Sequence, residues 1–211
     1  MVSRGNFLVS SGARVPEYRV DATLQHEIGT HALTYHNGGC QPLKLLQAGL
    51  AGYEELQEGI AVLSEFLVGG LSRPRIRQVA GRVVAVSQLV EGAEFVEVFR
   101  SMHDDFGFNQ TTAFNITMRV FRGGGFTKDT IYMRGLIRVM EYLQGGGKLE
   151  SLLLGKIALE HVDITTELLW RNILKPPRIV PRYLENPQAL GRLDKIKGCG
   201  NVMGLLTEQL L

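Results

Sequence analysis

The sequence predicts a mainly α or α+β fold with only a few short strands. Apolar residues recur at helical spacing over several segments, glycine-rich breaks separate these segments, and the alternating strand and helix pattern of a doubly wound sheet is absent. With 211 residues, of which 45% are hydrophobic and 21% charged, the chain is long enough to bury a substantial core. We therefore expect a single domain over residues 1–211.

The first third of the chain is predicted to hold one strand and three helices. The clearest helix is Tyr53–Leu67, because its apolar positions recur at i, i+4, i+7 and i+11 and place one face in the core. The other expected elements are a strand at Phe7–Val9, a helix capped by Asp21 or Thr23 that ends at Asn37–Gly39, and a helix from Pro42 to Leu50.

The remainder of the chain is also predicted to be largely helical. The expected helices are Gln78–Val90, Ala93–Phe106, Thr127–Leu143, Leu149–Leu159 and Ala189–Ile196. Residues 112–121 mix β-branched and aromatic side chains, so strand and helix both stay open there. Four prolines after Leu174 predict that residues 175–211 form an extended tail, packed on the domain, before the last short helix.

Charge argues against nucleic acid as a partner. The net charge of +2 is mild, and the sequence shows neither a nucleic-acid recognition motif nor interleaved basic and aromatic residues. A local basic cluster, formed by Arg73, Arg75, Arg77 and Arg82, is interpreted as a solvated loop and helix start around Pro74. Contact with an acidic partner is the alternative for this cluster.

The cysteines and the hydropathy pattern favour a cytoplasmic location. Cys40 and Cys199 lie far apart and in no metal-ligand spacing, which suits free thiols in a reducing compartment. The sequence contains no run of 18 apolar residues and no cationic and apolar leader at its N-terminus. We expect neither membrane insertion nor secretion, and the sequence does not indicate an oligomeric state.

The strongest chemical signal is the segment His26–His31, which reads HEIGTH. The zinc-peptidase motif HExxH places two histidines one turn apart on one helix face. Here they are five residues apart, which rotates the second ring by about 140° on a regular helix. A π-bulge would return both rings to one side, and Gly29 would tolerate its dihedral angles or let a neighbouring backbone approach. The alternative is an ordinary helix in which Glu27 and His31 form an i, i+4 pair.

A catalytic zinc site needs a third protein ligand. The downstream candidates are Glu54, Glu55, Glu58 and Glu65. Glu58 is favoured, because Glu54 lies at the start of its helix and Glu65 lies two turns further on. The alternative is that these four glutamates form a solvated acidic helix face and bind no metal. His36 repeats the five-residue step but lies near the helix end, so we do not expect it to bind metal.

Several blocks of the sequence together resemble a known family. They are Gln57–Ala61 (QEGIA), His26–His31, Thr117–Gly124, Phe126–Asp129 and Tyr132. The first resembles the QEGLA motif of bacterial flavohemoglobin expression-modulating proteins, which are similar to the microtubule-associated tyrosine carboxypeptidases of animals. Ile60 replaces the leucine of the motif, and only 25 residues precede His26. The chain therefore resembles the C-terminal half of such proteins, as a fragment or a short relative.

The resemblance implies a zincin-like helical metallopeptidase domain. It implies Zn²⁺ as cofactor, with His26, His31 and Glu58 as metal ligands and Glu27 as general base. The implied activity is that of a carboxypeptidase acting on a peptide or protein C-terminus, with an aromatic last residue as one candidate. The alternative is a regulatory or binding protein that contains zinc and performs no catalysis.

A carboxypeptidase must also bind the terminal carboxylate of its substrate. The guanidinium fork of arginine suits this group, because it makes two parallel charge-assisted hydrogen bonds. Arg119 and Arg122 are the first candidates, followed by Lys128 and Tyr132. The glycines at 123–125 either bring backbone N–H groups to an anion or simply form a connection.

Overall fold

The computed structural model describes residues 1–123 and 127–210, with Thr127 and residues 207–210 described as backbone only. By internal contacts the chain divides into two compact units. The first unit consists of residues 1–71 and 135–211, and the second consists of residues 72–134. The single-domain organisation stays a prediction.

The chain begins with a small antiparallel hairpin, in which β1 (Val2–Ser3) pairs with β2 (Asn6–Phe7). Arg4 and Gly5 both have positive φ angles, 48° and 79°, as the tight turn between the strands requires. The predicted strand Phe7–Val9 is wrong in extent, because the strand is Asn6–Phe7 and beyond it only Leu8 still donates a backbone hydrogen bond, to Met1. The mainly α class with few short strands is confirmed for the described residues.

Ten α-helices lie within the described residues. They are α1 (Glu17–His26), α2 (Leu33–Gly39), α3 (Leu45–Ala48), α4 (Tyr53–Leu67), α5 (Arg73–Val90), α6 (Phe95–Arg100), α7 (Gln110–Arg122), α8 (Ile131–Gln144), α9 (Val162–Trp170) and α10 (Pro187–Ile196). Two π-helical segments continue neighbouring α-helices: Glu27–Ala32 joins α1 to α2, and Ser101–Asp105 follows α6. The 3₁₀ turns are Thr127–Asp129, Leu149–Leu153, Leu159–His161, Arg182–Glu185 and Val202–Leu210.

In the first third of the chain, α4 has the predicted bounds and the helix through the histidines ends at Gly39 as predicted. The start of that helix was placed too late: α1 begins at Glu17, directly after Pro16, and Asp21 instead accepts a hydrogen bond from the Gln25 side chain. The predicted helix Pro42–Leu50 is wrong in extent, because only Leu45–Ala48 is helical.

The later elements differ more from the prediction than those in the first third of the chain. The open assignment of residues 112–121 is settled as helix, since α7 starts where the Asn109 side chain accepts from the Thr112 backbone N–H. The predicted helix Leu149–Leu159 is wrong: two 3₁₀ turns occupy its ends. The helix α9 was not predicted at all.

The beginning of the proline-rich tail is bound to α2 and the turn after it. The Asn37 side chain donates to the carbonyl oxygens of Leu153 and Ile179 and accepts from the Ile179 N–H. The Gln41 side chain exchanges two hydrogen bonds with the backbone of Lys175. These amide side chains are buried, so their pairing satisfies groups that would otherwise be costly to bury.

In the first unit, α4 lies at the centre of the core. Ile60, Leu63 and Leu67 have no exposed surface, and α1 is among the elements that pack against this helix. On another side, α4 meets α8 at a pair of glycines, where a β-carbon on Gly59 would overlap the backbone of Gly135. This close approach sets the position of the helix turn that carries Glu58.

The second unit has its own core. Helices α5 and α7 contribute most of it, with α6 and the π-helical segment packed alongside. Its buried members are Ala85, Val86, Val98, Met102, Phe108, Ala113, Ile116 and Val120. The unit thus holds α7, on which two of the candidate arginines lie, on a packed apolar base.

Within residues 1–123 and 127–210, no helix combines the length and the hydropathy needed to cross a lipid bilayer. The cytoplasmic location stays a prediction. Cys40 and Cys199 are both free thiols, as expected.

The glycine contact between α4 and α8 predicts the outcome of one substitution. In Gly135→Ala, the new β-carbon would overlap the Glu55 carbonyl group, and such overpacking typically lowers the free energy of unfolding by about 1–3 kcal/mol. Urea denaturation measures this loss. Gly191→Ala in α10 is the control, because nothing lies within 4 Å of its β-carbon position. It should raise stability by up to about 1 kcal/mol through helix propensity. Equal effects of the two substitutions would contradict the close approach.

Candidate functional site

The two histidines of the HEIGTH segment lie at the ends of a π-helical turn. The segment Glu27–Ala32 is π-helical, and the Leu33 N–H donates to the carbonyl of Ile28, five residues earlier. The π-bulge that the five-residue spacing predicts is therefore confirmed. The Gln25 side-chain oxygen lies where a β-carbon of Gly29 would be. The missing side chain thus admits another side chain here, and not a neighbouring backbone.

This turn brings His26, His31 and Glu58 together. The imidazole rings have centroids 5.3 Å apart at an interplanar angle of 73°. The Oε2 atom of Glu58 lies 3.6 Å from Nε2 of His26 and 3.7 Å from Nε2 of His31. One ligand atom from each residue lies within 4.8 Å of the other two, so the three can hold a metal ion.

The spacing of these atoms fits a metal better than it fits direct hydrogen bonds. Separations of 3.6 and 3.7 Å are too long for a hydrogen bond. Tetrahedral zinc with bonds of about 2.1 Å places two ligand atoms about 3.4 Å apart. The Oε2 atom of Glu58 is also buried and lacks a hydrogen-bond partner among the described residues. An orphaned carboxylate oxygen between two imidazoles is the donor set that a divalent cation requires.

The charges of the cluster favour the ionised carboxylate. Burial raises the pKa of Glu58, but the adjacent imidazoles of His26 and His31 outweigh it and hold that pKa well below its ordinary value. Burial lowers the pKa of His26, whereas Glu58 and Glu65 raise it to a net value of about 9. The carboxylates thus attract positive charge to His26, whether that charge is a proton or a metal ion.

A buried polar contact joins the helix of the histidines to the QEG segment of α4. The Thr34 hydroxyl lies 2.7 Å from the Thr30 carbonyl oxygen and 2.7 Å from Oε1 of Gln57, and both oxygens can accept its proton. The contact links the π-helical turn to the residue before Glu58.

Glu27 and His36 lie in different surroundings. The Glu27 side chain is 21% exposed, and its Oε1 atom lies 3.4 Å from the N-terminal ammonium of Met1. It does not belong to the group of ligand atoms. The exposed His36 lies outside that group too, because its Nε2 atom is 3.3 Å from the Gly5 carbonyl. That His36 is not a ligand stays a prediction.

The second unit contains a pocket of about 800 Å³ with a basic lining. Three of the four predicted substrate-binding residues line it, namely Arg119, Arg122 and Lys128. Asp129 also lines the pocket and accepts a hydrogen bond from Nε of Arg119. The fourth, Tyr132, is buried within the same unit, and Cζ of Arg119 lies 6.0 Å from its ring centroid. Gly124 and Gly125 lie outside the described residues.

Sequence reasoning missed Arg82 as a pocket residue. The interpretation of the basic cluster as a solvated loop and helix start is wrong for Arg82, since its side chain is only 15% exposed and lines the pocket. Its guanidinium lies 3.9 Å from Asp129 and 5.8 Å from the Tyr132 ring centroid. Burial, with the nearby positive charges of Arg119 and Arg75, lowers the pKa of Arg82 to about 10.

Arg82 was grouped with the basic cluster by its charge, although the predicted helix Gln78–Val90 already contained it. Ser72 caps α5, so the helix begins at Arg73 and holds the whole basic cluster. The spacing of Gln78 and Arg82 at i, i+4 was the available signal, because both side chains line the pocket from one helix face.

The known proteins with similar sequences belong to the family that the sequence blocks resemble. The curated relatives include microtubule-associated tyrosine carboxypeptidase 1 of Rattus norvegicus, 26% identical over 205 residues, and that of Homo sapiens, 27% identical over 205 residues. Each alignment covers 88% of this chain and 42% of the relative. The corresponding protein of Mus musculus is 27% identical over 164 residues, which cover 72% of this chain and 34% of that protein. The chain therefore spans about two-fifths of the length of the first two relatives.

The family comparison covers nearly the whole chain. The sequence model of the microtubule-associated tyrosine carboxypeptidases matches residues 1–199, a range that includes both histidines, Glu58 and the basic pocket. The chain belongs to the microtubule-associated tyrosine carboxypeptidase family.

Proposed function

We propose that this chain is a zinc-dependent metallopeptidase that removes a C-terminal residue from a peptide or protein. One observation carries the proposal: the buried, unpartnered Oε2 atom of Glu58 lies between Nε2 of His26 and Nε2 of His31 at metal-ligand spacing. Two histidines and one glutamate form the protein ligand set of a catalytic zinc site, which leaves a fourth position for water. Family membership supports the same reaction class.

The chemistry of the proposed site divides between the ion and the protein. A bound zinc ion would lower the pKa of a water molecule to about 7 and polarise the scissile carbonyl group. Glu27, next to His26 on the π-helical turn, accepts the proton of the attacking water and passes it to the leaving amine. His26, His31 and Glu58 hold the ion.

The basic pocket of the second unit is proposed to bind the terminal carboxylate of the substrate. Arg119, Arg122 and Lys128 supply positive charge, and Tyr132 lies against the Arg119 guanidinium. Arg82 adds a further guanidinium that sequence reasoning did not assign. An arginine has five N–H donors, so Arg119 can bind Asp129 through Nε and still bind a carboxylate.

Replacing any proposed ligand should remove the metal. We expect His26→Ala, His31→Ala and Glu58→Gln each to reduce zinc from one ion per chain to a small fraction, because two protein ligands bind weakly. Elemental analysis of the dialysed proteins measures the metal content. His36→Ala is the control, since His36 lies on the same helical run but contacts Gly5. Zinc retained by all three ligand variants would exclude this site.

Replacing the general base should abolish hydrolysis without removing the zinc ion. Glu27→Gln should keep its zinc and lose hydrolysis by about 10²–10⁴-fold, the usual contribution of a positioned acid–base group. The assay is release of the last residue from a peptide ending in tyrosine, chosen because the relatives are named tyrosine carboxypeptidases. Glu17→Gln, an exposed position at the start of α1, is the control and should keep full activity. A zinc-loaded wild-type chain that hydrolyses no peptide would instead support the non-catalytic zinc protein.

The proposed binding of the substrate carboxylate predicts the effect of an arginine substitution on hydrolysis. Arg119→Lys keeps the positive charge beside Asp129 but removes the guanidinium group, which can make two parallel hydrogen bonds to a carboxylate. We expect kcat/KM for the free-acid peptide to fall about tenfold, equivalent to about 1.4 kcal/mol, which is close to the lower end of the range for a hydrogen bond to a charged group. Arg73→Lys, exposed at the start of α5, should have no effect. If hydrolysis of the free-acid peptide is unchanged in Arg119→Lys, the carboxylate is bound elsewhere.

A further inference from the structure

Behind the candidate ligands lies a second carboxylate, that of Glu65. Its side chain is 1% exposed, and each of its oxygen atoms has a separate polar partner. Oε1 lies 2.9 Å from Nδ1 of His26, and Oε2 accepts a hydrogen bond of 2.8 Å from Nη2 of Arg19. Arg19 also donates to the carbonyl of Gly70. Glu65 therefore contacts the ring nitrogen of His26 that does not face Glu58.

These contacts follow from the spacing of four residues on two helices. Arg19 and His26 are seven residues apart on α1, and Glu58 and Glu65 are seven residues apart on α4. Residues seven apart lie on nearly the same helix face. Arg19 pairs with Glu65 while His26 lies between Glu65 and Glu58, so the two helices run antiparallel with these faces in contact.

The contact fixes the proton of His26. An ionised carboxylate accepts hydrogen bonds and donates none, so Nδ1 of His26 must carry a proton that it donates to Glu65. In the neutral ring Nε2 is then the unprotonated nitrogen, and it is Nε2 that lies 3.6 Å from Glu58. A metal ligand must be unprotonated at the bonding atom.

We propose that Glu65 is a positioning residue that orients His26 and keeps its Nε2 atom available to the metal. This inference rests on the proposed zinc site. Arg19 holds the carboxylate in place and compensates its charge in a buried position. Glu65, one of the four candidate ligands in the sequence, thus contacts Nδ1 of His26, the ring nitrogen that does not face Glu58.

Zinc affinity of Glu65→Gln tests the proposal. Glutamine has nearly the same size, but its amide can present N–H as well as oxygen to Nδ1, so it no longer enforces the required tautomer. Loss of such a partner usually weakens metal binding by about 10–100-fold. The zinc dissociation constant is measured by competition with a chromophoric chelator, and the free energy of unfolding is measured in urea on the same samples.

The matched control is Glu55→Gln on the same helix. Glu55 is largely buried and pairs with Arg138 at 2.8 Å, so its replacement also removes a carboxylate from an arginine, yet it does not belong to the histidine cluster. We expect both variants to lose stability and only Glu65→Gln to lose zinc affinity. If Glu65→Gln does not fold, Arg19→Met combined with Glu65→Gln removes both buried charges. That double variant should fold and still bind zinc weakly.

Three results would overturn the proposal. Wild-type zinc affinity in Glu65→Gln would show that His26 needs no orienting carboxylate. Equal losses of affinity in Glu65→Gln and Glu55→Gln, in proportion to their losses of stability, would show a structural role only. A wild-type chain that binds no zinc would overturn the proposed function first, and the role of Glu65 with it.

Discussion

The site depends on the contact between two antiparallel helices, α1 and α4. One face of α1 carries Arg19 and His26, and the facing side of α4 carries Glu58 and Glu65. Buried charges are stable only when they are paired, because removal from water costs several kcal/mol for each ion. The alternation of cations and carboxylates along this contact therefore specifies the register of the two helices. A shift by one turn would leave Glu65 buried against no cation.

The local features of this arrangement could be predicted from the sequence. Helical periodicity depends on neighbouring residues alone, which explains why the bounds of α4 were predicted correctly. The five-residue spacing of His26 and His31 requires a π-bulge for both rings to reach one point, and the turn has that form. Glu58 could be favoured over its neighbours by its helix position, and its carboxylate does lie between the two imidazoles.

Features set by distant contacts could not be predicted in the same way. The sequence places Glu65 on the right helix face, but only the packing of α1 against α4 shows that it meets Nδ1 of His26. Arg82 belongs to a basic run, and only the packing of α5 against α7 shows that it lines a pocket with Arg119 and Asp129. The two 3₁₀ turns between residues 149 and 161 replace a helix whose apolar pattern was ambiguous, because a buried turn and a buried helix share that composition.

The histidine between two carboxylates explains how two buried negative charges are accommodated in one cluster. Glu58 and Glu65 approach different ring nitrogens of His26, so the imidazole lies between their carboxylates. His26 offers one nitrogen to each, and their two negative charges raise its pKa to about 9 despite its burial. A positive charge at His26, whether a proton or a metal ion, therefore compensates both carboxylates. A bound metal would take the place of a proton on Nε2, and the hydrogen bond between Nδ1 and Glu65 would still orient the ring. The packing of α1 against α4 thus both stabilises the fold and orients His26 toward Glu58.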